Sequence, residues 1–392
     1  MTQPTIATQG LFAGALGSNP YPFYEILRRD TPVLQIGGMG LWAVSRYEDV
    51  MRVLRDEATF SSVVGARQLE GDVTPTMLFS DPPVHTRLRN LVVRAFTPRM
   101  VEKQRAAIAA RSRELVTAML ARPDPDVVRD LASPLPIMVI ATMLGVADGD
   151  HATFKRWSDD IIENIAPLLL TGDDSALADT NRELDAYFTA RIEALRASPE
   201  DNLLGALVAV DTDEGRLTLD ELLMFCRLLL VAGNETTTGL IVNAMRAFAE
   251  FPQALERLRG DMHLLPSAIE EVLRYYSPFQ ATFRRAVRDA EVAGVTIPAG
   301  ERVLVLLGSA NRDAAIFGTP DEFRIDREPN RHVAFGFGIH YCLGAPLARL
   351  EAEIALGDLL PRVRHVEVLP GQDAALLRPG GPKSLAVRFE TI

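Results

Sequence analysis

Apolar residues recur at three-to-four spacing over 22–29, 47–55, 98–122, 175–196, 218–250 and 345–360, and each stretch predicts an amphipathic helix. Alternating or short apolar runs at 33–36, 42–44, 293–297, 302–307 and 385–389 predict brief strands, the last of them in a closing hairpin. The pattern is that of a mainly α chain with small β-sheets. Pro and Gly are scattered as turn punctuation, and no repeat, low-complexity tract or Gly/Ser linker marks a domain boundary.

The stretch 218–250 stands out. Thr218 and Glu221 form a capping-box signature, and the apolar period then continues to Pro252, predicting one helix of roughly 50 Å at 1.5 Å per residue. Its middle, Ala232-Gly233-Asn234-Glu235-Thr236-Thr237-Thr238, opposes helix through a glycine and β-branched hydroxyl residues. Something other than helix stability placed them there.

Composition narrows the function. The 392 residues are 47% hydrophobic and 24% charged, an ordinary globular balance. A net charge of -11 argues against general nucleic-acid binding, which needs a basic surface. No apolar run reaches the length of a bilayer, and Met1 to Gly10 is polar without a signal-like core, which predicts a cytoplasmic protein. Two cysteines, Cys226 and Cys342, cannot build a disulfide framework and suit a reducing compartment.

Those two cysteines differ in context. Cys226 sits in Met224-Phe225-Cys226-Arg227 and reads as a small buried hydrophobe. Cys342 lies in Phe335-Gly336-Phe337-Gly338-Ile339-His340-Tyr341-Cys342-Leu343-Gly344, just before the helix predicted from Ala345. The glycines permit backbone paths closed to other residues, and a helix N-terminus stabilises a thiolate. His340 and Cys342 lack a second Cys/His pair at zinc spacing, so a structural zinc site is not supported.

This loop resembles the haem-binding loop of the cytochrome P-450 family, F-G-x-G-x-H-x-C-x-G, at every fixed position. The resemblance extends from Pro20-Tyr21-Pro22 to the terminal hairpin and implies one composite domain over 1–392, a triangular, helix-rich prism. It makes Cys342 the axial ligand of the iron of haem b, with Phe335, Gly336, Gly338 and Gly344 shaping the loop. Glu271 and Arg274 match the family's E-x-x-R and, with Arg327, resemble its buried bracing network, although an i,i+3 pair by itself is more often a surface contact. By matching position His85, Arg89, Arg284 and His340 are the expected contacts of the haem propionates; an exposed charge is the alternative for each.

Glu235 and Thr236 match the family's acid–alcohol pair, which delivers protons beside the bound oxygen; a Thr bonding back to its own helix is the alternative. Leu229, Val231, Ala232, Phe279, Gln280 and Thr282 are the pocket walls that the resemblance implies, while 60–78 and 157–184 match no motif and lie where the family shapes substrate access. The implied activity is a monomeric monooxygenase acting on an apolar small molecule such as a fatty acid, terpenoid, steroid or macrolide. No dinucleotide fingerprint is visible, so electrons from NAD(P)H would arrive through a ferredoxin or flavodoxin and its reductase. The basic stretch Arg87, Arg89, Arg94, Arg99, Lys103, Arg105, Arg111 and Arg113 is the expected docking face, with solvated helix charge as the alternative. The alternatives are a peroxide-driven peroxygenase, against which the Glu235–Thr236 pair argues, and a non-catalytic haem sensor or carrier.

Overall fold

A computed structural model describes residues 19–37, 40–64, 74–164, 175–371 and 383–392. Met1 to Gly10, and the 65–73 and 165–174 parts of the two stretches without motif, lie outside the described residues. The described residues begin with helix α1 (Tyr21–Asp30), which Pro22 starts in its first turn, then strands β1 (Val33–Gln35) and β2 (Leu41–Val44). Helix α2 (Tyr47–Arg55) carries Glu48 and Asp49 in its first turn and Arg52 and Arg55 in its last, matching its dipole, and buries Val50, Met51 and Leu54. Strand β3 (Phe60–Ser61) follows.

Next come α3 (Val84–Ala95), α4 (Pro98–Lys103) and α5 (Arg105–Leu120). The helix expected over 98–122 is thus divided at Gln104, whose amide bonds back to the Val101 carbonyl in a tighter turn. Helix α6 (Pro134–Met143) is apolar on all sides and therefore shows no amphipathic period, which is why the pattern missed it. Helices α7 (His151–Glu163), α8 (Ala178–Ala197) and α9 (Leu203–Ala209) complete this half.

The long helix predicted over 218–250 is two helices, α10 (Leu219–Ala232) and α11 (Glu235–Glu250), separated by Gly233 and Asn234. Its start is as expected: Glu221 N–H donates to Thr218 Oγ1 at 3.2 Å and Thr218 N–H to Glu221 Oε2 at 2.8 Å. Ile140 of α6 packs so closely on the junction that a Cβ at Gly233 would lie 2.7 Å from its Cδ1, which restricts this position to glycine. Asn234 then pins the junction sideways, its Nδ2 donating to Ser158 Oγ of α7 at 2.9 Å.

Helices α12 (Pro252–Gly260) and α13 (Leu265–Tyr275) lead to β4 (Thr282–Ala286), the hairpin β5 (Ala290–Val292) and β6 (Val295–Ile297), and β7 (Arg302–Val305). The strand expected over 293–297 is therefore a hairpin whose turn is Ala293 and Gly294, both at positive φ. Helix α14 (Leu307–Ala310) takes the end of the run expected as strand to 307, and α15 (Ala345–Leu359) follows the cysteine loop. Strands β8 (Val363–Val368) and β9 (Val387–Thr391) close the chain as an antiparallel pair.

The main sheet runs β1-β2-β7-β4-β3, antiparallel except for the parallel pair β2 and β7, with Leu41 opposite Arg302. One apolar core joins the helices and a second lies under this sheet and α2. Helix α11 is buried nearly all round from Thr237 to Phe248, and α15 packs against α5, α11 and α13. The cysteine loop is thereby placed between the sheet-side core and the helical core.

Candidate active site

The loop before α15 is built by local hydrogen bonds. Gly336 N–H donates to the Val333 carbonyl at 2.9 Å and Cys342 N–H to the Phe335 carbonyl at 3.0 Å, closing a turn with Gly336 and Gly338 at φ of 70° and 75°. Gly338 is required twice, because a Cβ there would lie 2.7 Å from the Leu54 carbonyl oxygen at the end of α2. Cys342 is partly buried at the N-terminus of α15. Burial pushes its thiol up, opposed by backbone N–H groups of Gly344 and Ala345 and by the charges of Arg89 and Arg349. Cys226, in contrast, is fully buried in α10 and its thiol is driven far up by desolvation.

Across from the loop, α3 and β4 present three cationic or imidazole groups that meet His340 of the loop. His85 and Arg89 stand one turn apart on α3, and Arg284 projects from β4. The His85 and His340 ring centroids are 4.2 Å apart, and His340 Nε2 lies 2.9 Å from Ser62 Oγ. Both ring nitrogens of His85 are buried without a partner in the protein. Arg89 Nη2 donates to the Tyr341 carbonyl at 2.7 Å, and among the described residues Arg284 Nη1 reaches only the Phe283 carbonyl.

The electrostatics of this group are unbalanced. Burial pulls Arg284 down to about 10, and burial with Arg284, His85 and Arg89 pulls His340 down to about 3. The nearest carboxylate, Asp81, is occupied by Ser61 Oγ at 2.5 Å and the Ser62 amide at 2.8 Å. Buried cations without anions are unstable unless a ligand supplies them. The two propionates of haem are such a ligand, so these residues fit the group.

Glu271, Arg274 and Arg327 form a buried network rather than a surface pair. Glu271 and Arg274 are inaccessible to solvent, with Arg274 Nε and Nη2 each 2.8 Å from the carboxylate and Arg327 Nε 3.1 Å from both its oxygens. The remaining guanidinium donors go to carbonyls of Asn311, Gly318, Thr319, Pro320 and Glu322. A second, adjacent device escaped the sequence reading: Glu270 takes a bidentate pair from Arg349 of α15 at 2.7 and 2.8 Å, and His332 Nε2 lies 3.0 Å away. Nothing in either local sequence marks these partners, which are 79 positions apart.

Glu235 and Thr236 start α11 beside the break and are half-buried. Thr236 Oγ1 donates to the Ala232 carbonyl at 2.9 Å, so the back-bonded geometry is the one observed. Leu229, Val231 and Thr282 are half-buried and Ala232 is exposed, while Leu230 between them is buried. Phe279 is 48% exposed. Gln280 is buried with its amide donating to Tyr21 Oη at 3.1 Å and the Ser277 carbonyl at 2.6 Å, a contact within the helical core.

The basic stretch is less of a positive face than its composition predicts. Arg87 pairs with Glu221 at 2.6 Å, Lys103 with Asp201, Arg105 with Glu102 at 2.6 Å and Arg111 with Glu114 at 2.7 Å, while Arg89 turns inward. Arg94, Arg99 and Arg113 are exposed. Among the described residues, no helix is long and apolar enough to cross a membrane.

Comparison with known proteins bears on the whole chain. The Cytochrome P-450 family model matches residues 28–378. YjiB of Bacillus subtilis, a cytochrome P-450, is 41% identical over 352 residues, covering 89% of this chain and 88% of that one. The cytochrome P-450 monooxygenase PikC of Streptomyces venezuelae is 41% identical over 403 residues, covering 98% and 95%. The crystal structure of a Bacillus megaterium cytochrome P-450 in complex with testosterone superposes with a TM-score of 0.85 at 39% identity, covering 94% and 99%. With a cysteine loop, a buried Glu-Arg-Arg network and a cationic cradle in one fold, and relatives of this identity along nearly its full length, the chain belongs to the cytochrome P-450 monooxygenase family.

Proposed function

We propose that this enzyme inserts one oxygen atom from O2 into an apolar small molecule, using a haem whose iron is bound by Cys342. The observation that carries the reading is the cluster of His85, Arg89, Arg284 and His340 beside the cysteine loop, where the Asp81 carboxylate is already bonded to Ser61 and Ser62 and Glu57 acts only weakly on His85. Bound there, haem supplies oxygen activation, and thiolate ligation favours O–O cleavage. The residues of the chain do the rest.

Gly344 and Ala345 amides, with Arg89 and Arg349, favour the sulfur anion and offset part of the burial that raises the Cys342 thiol; a bound iron would supply the rest. Thr236 Oγ1 donates its hydrogen bond to the Ala232 carbonyl, which leaves its lone pairs as acceptors for a donor beside Gly233. Glu235 next to it is the acid that passes protons inward. Leu229, Val231, Ala232 and Thr282 offer partly exposed, mainly apolar surface to the substrate, with Phe279 at its margin. The fit of the chain to a relative crystallised with testosterone favours a substrate of steroid-like size and polarity.

Because site residues range from Ser62 to Arg349, the 392 residues are taken as one functional unit, acting as a cytoplasmic monomer. Electrons reach it from NAD(P)H through a ferredoxin or flavodoxin and its reductase. Product formed per NADPH with such partners, set against product formed with hydrogen peroxide alone, tests the reading; turnover only with peroxide would replace it by a peroxygenase. A ligand-induced spectral shift with testosterone, absent with short fatty acids, tests the substrate class.

A further inference from the structure

Glu270 and Arg349 join two helices that each carry a part of the site. Glu270 lies on α13 next to Glu271, and Arg349 lies on α15 two turns beyond Cys342. Their contact is a parallel fork, Nε to Oε1 and Nη2 to Oε2, the geometry that makes Arg–carboxylate pairs directional as well as strong. The pair is about two-thirds buried, with side-chain exposures of 34% and 29%. An ordinary surface ion pair would end there.

This one continues into the cysteine loop. The Arg349 guanidinium lies 4.5 Å from the centroid of the Phe335 ring, and its Nη1 is 3.4 Å from Tyr341 Oη. Phe335 is the residue whose carbonyl accepts the Cys342 amide, and Tyr341 is the residue whose carbonyl accepts from Arg89. His332 at 3.0 Å from Glu270 closes the circuit at the start of the same loop. One guanidinium therefore touches the loop at two residues that precede the sulfur, and places a positive charge near it.

We propose that the Glu270–Arg349 pair is a positioning device for Cys342: it fixes the loop through Phe335 and Tyr341 and sets the electrostatic field at the sulfur, with Glu270 attenuating the charge of Arg349. The inference rests on Cys342 being the haem ligand. Ligand electronics are tuned by nearby charge and hydrogen bonding, so the effect is read in the iron's reduction potential.

The test uses the haem-loaded full chain, with Arg349→Gln, Glu270→Gln, the double variant and Arg349→Lys. Redox titration gives the ferric/ferrous midpoint, and the reduced carbon-monoxide spectrum gives the fraction with sulfur anion as ligand. Arg349→Gln removes a cation and lowers the midpoint, Glu270→Gln unmasks that cation and raises it, and the double variant falls between. Arg349→Lys keeps the charge without the fork, so its midpoint stays nearer that of the parent while the anion-ligated fraction falls. A purely structural pair would shift both single variants in the same direction or not at all, and either result overturns the proposal. If the parent protein itself shows no sulfur-ligated spectrum, the haem-ligand reading fails first; a normal parent with same-sign shifts sinks the positioning role alone.

Discussion

The imidazoles of His85 and His340 face each other at 4.2 Å with their planes tilted by 48°, and Arg89 and Arg284 press on the same space. Such crowding of like groups is relieved by a dianion. Arg284→Ala and Arg89→Ala are each expected to weaken haem retention about ten- to a hundredfold, the loss of one hydrogen bond to a charged group. Transfer of haem to an excess of apo-globin measures it; unchanged transfer rates would remove these arginines from the cradle.

Cys342→Ser is expected to abolish the sulfur-ligated reduced carbon-monoxide spectrum. Gly338→Ala should lower haem content by another route, because it puts a Cβ 2.7 Å from the Leu54 carbonyl at a φ of 75° and costs about 1–2 kcal/mol in backbone strain alone. Haem-to-protein ratio after purification, compared with that of Gly344→Ala, reads this difference.

Thr236→Ala should keep haem binding and NADPH consumption but divert electrons to hydrogen peroxide. Acid–base assistance is worth roughly 10²–10⁴-fold, so product per NADPH should fall by at least about tenfold. Coupling equal to that of the parent would show that the back-bonded hydroxyl only stabilises the start of α11.

Glu271→Gln leaves Arg274 and Arg327 buried beside a neutral amide. Removing one member of such a network costs about 3–5 kcal/mol, to be seen in denaturant unfolding followed by circular dichroism. A loss under about 1 kcal/mol would mean that the carbonyls around the two guanidinium groups suffice without the carboxylate.

Burial raises the Glu270 carboxyl, but Arg349 and His332 outweigh it and hold it down at about 2, against an ordinary value of 4.5. A depressed acid stabilises the fold above its unfolded value and loses that contribution as pH falls toward the folded one. Between about pH 4.5 and 2 the parent should therefore lose on the order of 3 kcal/mol that Glu270→Gln does not lose. Parallel acid-unfolding curves for the two proteins would contradict this.

The parts of the site that sequence reading reached are those written within a few residues of one another. Cys342 with its glycines, Glu271 with Arg274 and His85 with Arg89 are local patterns, and the structure brings each together. The apolar period misjudged α10 and α11 because it keeps its phase across Gly233 and Asn234, while the contacts at that junction, Ile140 against Gly233 and Ser158 with Asn234, come from other helices. Glu270 with Arg349, Gln280 with Tyr21, Arg87 with Glu221 and Lys103 with Asp201 were invisible because each contact joins positions that only the folded chain makes neighbours.

The parallel pairing of β2 with β7 sets an order of events at the ribosome. Leu41 meets Arg302, so an early hairpin waits with an open edge while some 260 residues are made, about ten to fifty seconds at the usual pace of translation. An exposed edge for that long is a site for chaperone capture or misassociation. Slow late-codon translation would lengthen this exposure, and soluble yield in a host should depend on elongation speed through the stretch that ends in β7.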